Sequence, residues 1–100
     1  MNASNEDLER RTVRVLITGR VQGVAYRAWT ERTAKALGLH GWVRNRHGGS
    51  VEALFSGASA RVDEMLRHCR QGPPAARVAE VSVSEEAGPA PFGFEVWPTA

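Results

Sequence analysis

Val13, Val15 and Ile17 alternate with Arg14, Leu16 and Thr18, the period of two that a strand with one buried face imposes. This predicts a strand over 12–18. The period then changes: Ala25, Trp29, Thr33, Ala36 and Leu37 recur at the spacing of one helical face, and Gly38 stands where a helix stop belongs. A helix over 26–37 follows, and after it a strand over 41–46. His47-Gly48-Gly49 reads as a hairpin turn, because paired glycines offer the positive φ angles such turns demand. A strand over 50–56 places Val51, Ala53 and Phe55 on one side. A second helix covers 60–70, with Ser59 as N-cap, Asp63 and Glu64 toward its positive end, a stripe of Val62, Met65, Leu66 and Cys69, and Gly72-Pro73-Pro74 as terminator. A strand over 77–84 turns Ala79, Val81 and Val83 inward. Gly88-Pro89-Ala90-Pro91 breaks the chain before a short fifth strand over 92–97.

The order βαββαββ predicts an α+β fold, the ferredoxin-like βαββαβ sandwich, with two helices on one face of an antiparallel sheet and a short fifth strand at the C-terminus. The first two strands, joined by a helical crossover, run in the same direction, so their C-terminal ends share one end of the sheet. Asn45, near the end of the second strand, then neighbours the turn after the first. It alternates onto the side of Val43, opposite Trp42 and Arg44, and that side is assigned to the helices.

The chain has 100 residues, 42% of them hydrophobic, enough for one core and one domain. Residues 1–11, polar and mixed in charge, read as a flexible N-terminal tail, and residues 12–98 as the domain. The formal net charge of +2 is spread rather than clustered, which suits an anionic small molecule better than nucleic acid. No apolar run reaches the roughly 20 residues that cross a bilayer, and the tail lacks a signal peptide's apolar segment, so the expectation is a cytoplasmic protein without membrane contact. Cys69, the single cysteine, has no internal disulfide partner and sits on an apolar stripe. His40, His47 and His68 are scattered, so no metal site is expected. Trp42 and Trp97 are assigned to the open face of the sheet. A base-stacking sheet would carry aromatics among basic residues on the first and third strands, and the first strand has none.

The chemistry is concentrated in Gly19-Arg20-Val21-Gln22-Gly23-Val24-Ala25-Tyr26-Arg27, which joins a strand to a helix. Gly19 and Gly23 allow backbone conformations closed to other residues and a close approach of an anion. The first N–H groups of the helix lack intrahelical acceptors and can converge on that anion. Arg27, in the first helical turn, adds a planar fork that can grip two phosphate oxygens. On spacing alone, a solvated arginine after an ordinary turn reads equally well. Asn45 likewise suits either the capping of a hairpin or the aiming of a water molecule, since its amide both donates and accepts but takes no proton at neutral pH.

The Gly19 to Arg27 segment, followed by Gly41-Trp42-Val43-Arg44-Asn45 and by Gly49-Ser50-Val51-Glu52 with Gly57 beyond, closely resembles the two signature segments of the acylphosphatase family. The resemblance extends from about Val13 to Trp97 and implies the same fold. It implies hydrolysis of acyl phosphates to a carboxylate and inorganic phosphate, with phosphate also a competitor. By the family pattern, Arg27 and the backbone N–H groups of Arg20, Val21, Gln22, Gly23, Val24, Ala25 and Tyr26 hold the phosphoryl oxygens, and Asn45 orients the attacking water. No metal, no cofactor and no side-chain base are called for, and a monomer is expected. The chain departs from the pattern at Gly48, where the family commonly carries an acidic residue. Two other readings stand beside the hydrolase: a non-catalytic anion-binding regulatory domain of the same fold, and a ferredoxin-like nucleic-acid-binding module. The presence of both Arg27 and Asn45 favours the hydrolase.

Overall fold

In the computed structural model, which describes residues 9–88 and 90–100, Val13, Val15 and Ile17 form the fully buried inner face of β1 (Arg10–Arg20). The chain continues through α1 (Tyr26–Ala36), β2 (His40–Asn45), β3 (Val51–Ala58), α2 (Ser59–Gln71), β4 (Arg77–Glu85) and β5 (Phe94–Val96). The sheet order is β4-β1-β3-β2-β5. β1 runs antiparallel to β3 and β4, and β2 antiparallel to β3. β5 joins the far edge parallel to β2, because the chain reverses after β4 and β4 itself runs against β2. The sheet is therefore mixed at that one edge, while the split βαβ arrangement expected from the element order is the one formed.

α1 packs on β2 and β5, and α2 on β1, β3 and β4. One core joins Val13, Val15 and Ile17 to Val43, Val51, Ala53 and Phe55 beneath Val62, Met65 and Cys69 of α2 and Tyr26 and Ala34 of α1. The predicted stripe of α2 is the buried one. The stripe of α1 lies elsewhere: Tyr26, Thr30 and Ala34 are buried, Trp29 and Leu37 flank them, and Ala25 and Ala36 are exposed. The pattern misplaced this face because Ala25 precedes the helix and two of the buried positions are small or polar. The buried Thr30 hydroxyl is satisfied by donating to the Tyr26 carbonyl at 2.8 Å. Gly38 ends the helix as expected, at φ +72, with Gly38 N–H donating to Lys35 O and Leu39 N–H to Ala34 O, the paired bonds of a Schellman close.

Several boundaries shift for physical reasons. β1 begins at Arg10, where Arg10 and Arg11 pair with Ala58 and Gly57, so these two residues of the expected tail are sheet residues; residues 1–8 lie outside the described ones. β3 runs directly into α2, making Ala58 rather than Ser59 the N-cap, and Ser59 N–H donates to the Glu9 carbonyl beside it at 3.0 Å. Asp63 and Glu64 fall beyond the first turn of that helix. In the hairpin only Gly49 takes a positive φ, +106, and Gly48 does not. On β4, Val78, Val81 and Val83 pack on the core and Ala79 is exposed. The register of β1 against β4 slips between Thr18 and Gly19, from Glu80 to Val78, so Ala79 is an extra residue that reverses the alternation. A Cβ on Gly19 would lie 2.3 Å from the Arg77 carbonyl oxygen. The approach of β4 requires glycine there.

Candidate active site

Beyond β1 the chain turns through residues 21–25 into α1. Val21 is buried and anchors the start of the turn in the core, while Gly23 is exposed at φ +74 with open space where a Cβ would be. Ala25 follows at φ 65, ψ 27, the one positive-φ residue other than glycine among those described. Positive φ at 23 and 25 with none at Val24 alternates the handedness of successive residues, the backbone pattern of the nests that receive anions in other proteins. An alanine held there costs about 1–2 kcal/mol. Among the described residues, the N–H groups of 22–27 donate to no backbone carbonyl. α1 has no side-chain cap and no acidic residue in its first turn, so the positive end of its dipole is uncompensated.

Arg27 is the second residue of α1, half-buried, and among the described residues its guanidinium has no ion-pair or hydrogen-bond partner. Arg20, at the end of β1, is exposed. Tyr26 takes a different place: its ring is buried and its hydroxyl donates to the Cys69 carbonyl at 2.7 Å, fastening the start of α1 to α2. Val24 packs partly against the core. Gln22 carries a role that the pattern did not disclose. Its Nε2 donates to the carbonyls of Arg46 at 2.7 Å and Ser50 at 2.8 Å, tying the turn to the neck of the β2–β3 hairpin.

Asn45 pairs with Val51, which pairs in turn with Ile17, so its side chain alternates onto the helix-bearing face, two strands or about 10 Å from β1. Asn45 is half-buried and its carboxamide has no hydrogen-bond partner among the described residues. Its backbone is pinned from the other side: Ala100 N–H donates to Asn45 O at 3.1 Å, and His47 N–H to Ala100 O at 3.0 Å. The end of the sheet thus carries N–H groups, a guanidinium and a carboxamide that have no partner among the described residues.

The model of the acylphosphatase family matches residues 13–96. The chain belongs to that family. An acylphosphatase of Rhodospirillum rubrum is 55% identical over 89 residues, covering 89% of this chain and 98% of that protein. Among solved structures, an acylphosphatase from Coxiella burnetii superposes with a TM-score of 0.86 at 29% identity, covering 97% of this chain and all of that one. The acylphosphatase of Bacillus subtilis gives 0.84 at 30% identity, covering 89% and 99%.

The fold therefore gathers Arg27, Asn45 and the N–H groups of the turn, while it spreads the side chains of the same segment among separate tasks. Val21 and Tyr26 fill the core, and Gln22 holds the hairpin. The signal for Gln22 was its polarity beside the buried Val21, but its acceptors, Arg46 O and Ser50 O, are backbone atoms more than 20 residues away that no side-chain pattern encodes. Cys69 is buried, and that burial pushes its thiol up to about 12, so it is no nucleophile at neutral pH. His40 accepts at Nδ1 from Gly93 N–H at 2.7 Å and serves the β2–β5 edge. Among the described residues no cluster of three metal-binding side chains forms, and no helix is long and apolar enough to cross a membrane.

Proposed function

We propose that this chain hydrolyses acyl phosphates to a carboxylate and inorganic phosphate, with the phosphoryl group held by Arg27 and the N–H groups of residues 20–26 and the attacking water oriented by Asn45. The observation that carries the reading is that Arg27, Asn45 and the uncapped N–H groups of the turn, all without partners among the described residues, stand at one end of the sheet. In the reaction the water oxygen forms a new P–O bond as the P–O bond to the acyl oxygen breaks. The carboxylate leaves with the electron pair, and the proton of the water passes to the phosphate. The loose transition state of phosphoryl transfer asks for alignment and charge stabilisation rather than covalent help, which is what these groups supply. The carboxylate is a good leaving group and needs no general acid.

The reading extends to a monomer acting in the cytoplasm without a metal or cofactor, supported by the spread charge and the buried free thiol. The nucleic-acid alternative is disfavoured by the open face, where Trp42 and Trp97 stack on each other at 4.4 Å and Arg44 lies 5.0 Å from the Trp42 ring, so that aromatic surface already has partners. The test is hydrolysis of benzoyl phosphate by the purified protein in the presence of a chelator, with inorganic phosphate titrated as competitor. Turnover that survives chelation and is competed by phosphate is the expected result. A folded protein that binds phosphate without turnover would leave only the anion-binding domain.

A further inference from the structure

Sheet order fixes what surrounds the phosphate cradle. The cradle leaves the end of β1, Asn45 lies two strands to one side, and on the other side β4 begins at Arg77, paired with Arg20. The segment that leads into β4, residues 72–76, therefore borders the cradle on the flank away from Asn45. On this flank lies a groove of about 500 Å³, walled by Trp29 of α1, His68 and Gln71 at the end of α2, and Pro73, Pro74 and Ala76. The buried Tyr26, which follows the turn, packs against its walls: the Tyr26 and Trp29 rings meet edge to face at 5.2 Å, and a Cβ on Gly72 would lie 3.0 Å from Tyr26 Cε2. Arg27 and Trp29, two positions apart, project about 200° apart around α1. The groove and the guanidinium thus flank the core-facing Tyr26 on opposite sides.

In-line phosphoryl transfer places the leaving oxygen opposite the attacking one. With water on the Asn45 side, the acyl group departs toward β4 and this groove. We infer that the groove between Trp29 and the Pro73-Pro74 segment is the acyl subsite, and that it takes apolar, preferably aromatic, acyl groups. This rests on the hydrolase reading and deepens it. Trp29 offers a ring edge or face, the two prolines and Ala76 form a rigid apolar wall, and Gln71 and His68 stand at the rim, His68 half-exposed with Glu64 3.9 Å away.

Two measurements test the assignment. The first compares kcat/KM for benzoyl phosphate and acetyl phosphate in the wild type and in Trp29→Ala. The benzoyl-to-acetyl ratio is expected to fall about tenfold in the variant, with competition by inorganic phosphate retained as the sign of an intact cradle. The second leaves the protein unaltered: the 15N-labelled wild type is titrated with benzylphosphonate and with methylphosphonate. The Trp29 indole and the Gln71 and Ala76 amides are expected to shift with the benzyl compound only. Hydrolysis of both substrates with an unchanged ratio, or shifts confined to residues 20–27 for both phosphonates, would overturn the subsite. Absence of hydrolysis with Trp29 shifting on benzylphosphonate alone would instead sink the hydrolase reading and leave the groove standing as a binding subsite.

Discussion

The open face of the sheet and the end of β1 both carry arginines, but they treat them in opposite ways. On the open face the buried Glu52 carboxylate accepts from Arg14 at 2.6 Å, Arg44 at 2.8 Å and Arg46 at 3.0 Å. Arg44 also covers the stacked Trp42 and Trp97 rings, and Arg14 reaches Glu86. At the end of β1 the guanidinium of Arg27, the carboxamide of Asn45 and the N–H groups of the turn have no partners among the described residues. Donors that are matched within the fold hold the sheet together; donors left unmatched beside a strained turn are available to a ligand. Arg44 and Asn45 make the contrast in adjacent residues of β2, because alternation sends one to each face.

The largest expected effect comes from removing the unmatched cation. Arg27→Ala should lower kcat/KM for an acyl phosphate about 1,000-fold, the loss of a bidentate charge-assisted grip, and weaken competition by phosphate, while thermal unfolding stays within about 0.5 kcal/mol of wild type. Retained turnover would end the comparison at its strongest point. Asn45→Ala should reduce kcat about 100-fold and leave phosphate competition near wild type, since it removes the aiming of water rather than the hold on phosphate. Equal losses in both quantities would move Asn45 from the water to the phosphate.

The matched side should answer in stability. Glu52→Ala leaves three guanidinium groups facing one another without their carboxylate, and should cost about 2 kcal/mol in denaturant unfolding, below the value for a fully buried pair because the arginines are partly solvated. Acid titration gives an independent reading. Burial pushes the Glu52 carboxyl up, but hydrogen bonds from Arg44, Arg14 and Arg46 outweigh it and hold the carboxyl below its usual range. A group lowered in the folded state stabilises the fold above its unfolded value of about 4.3, and loses that contribution as pH falls toward its folded value. Wild-type stability should therefore decline on acidification below about pH 4.3 more steeply than that of Glu52→Gln, measured by melting across the range. Parallel curves would show that the cluster contributes nothing.

Gln22 sits between the two regimes, since its side chain is matched and its backbone is part of the nest. Gln22→Leu loses two hydrogen bonds to the hairpin and should lower kcat about tenfold, with about 1–2 kcal/mol of stability. Unchanged kcat at reduced stability would make the tether structural alone.

The legible part of the site was the part made of local chemistry. Gly23 at an open position, an arginine in the first turn of a helix and an uncapped helix start are all sequence-adjacent, and their meaning needs only backbone geometry. The α2 stripe and the inner face of β1 were legible because aliphatic residues mark them without ambiguity. The α1 face was not, because Thr30 and Ala34 are buried by what packs on them rather than by their own hydrophobicity. The inward set on β4 was misjudged at Ala79, because a bulge against Gly19 inserts one residue and reverses parity, and nothing local to β4 announces it.

Element order, the crossover that aligns β1 with β2 and the residue types of the proposed phosphate cradle were readable along the chain, because periodicity, glycine placement and side-chain chemistry act over a few residues. The family resemblance added the expected roles of those residues. It took the packed fold to show that Gly19 serves the β4 contact, that Gln22 grips two distant carbonyls, that Glu52 gathers three arginines while Arg27 has no partner among the described residues, and that a groove lies beside the proposed cradle away from Asn45. Each of these depends on which strands become neighbours and in what register, and that is settled by burying one common core rather than by any short stretch of chain.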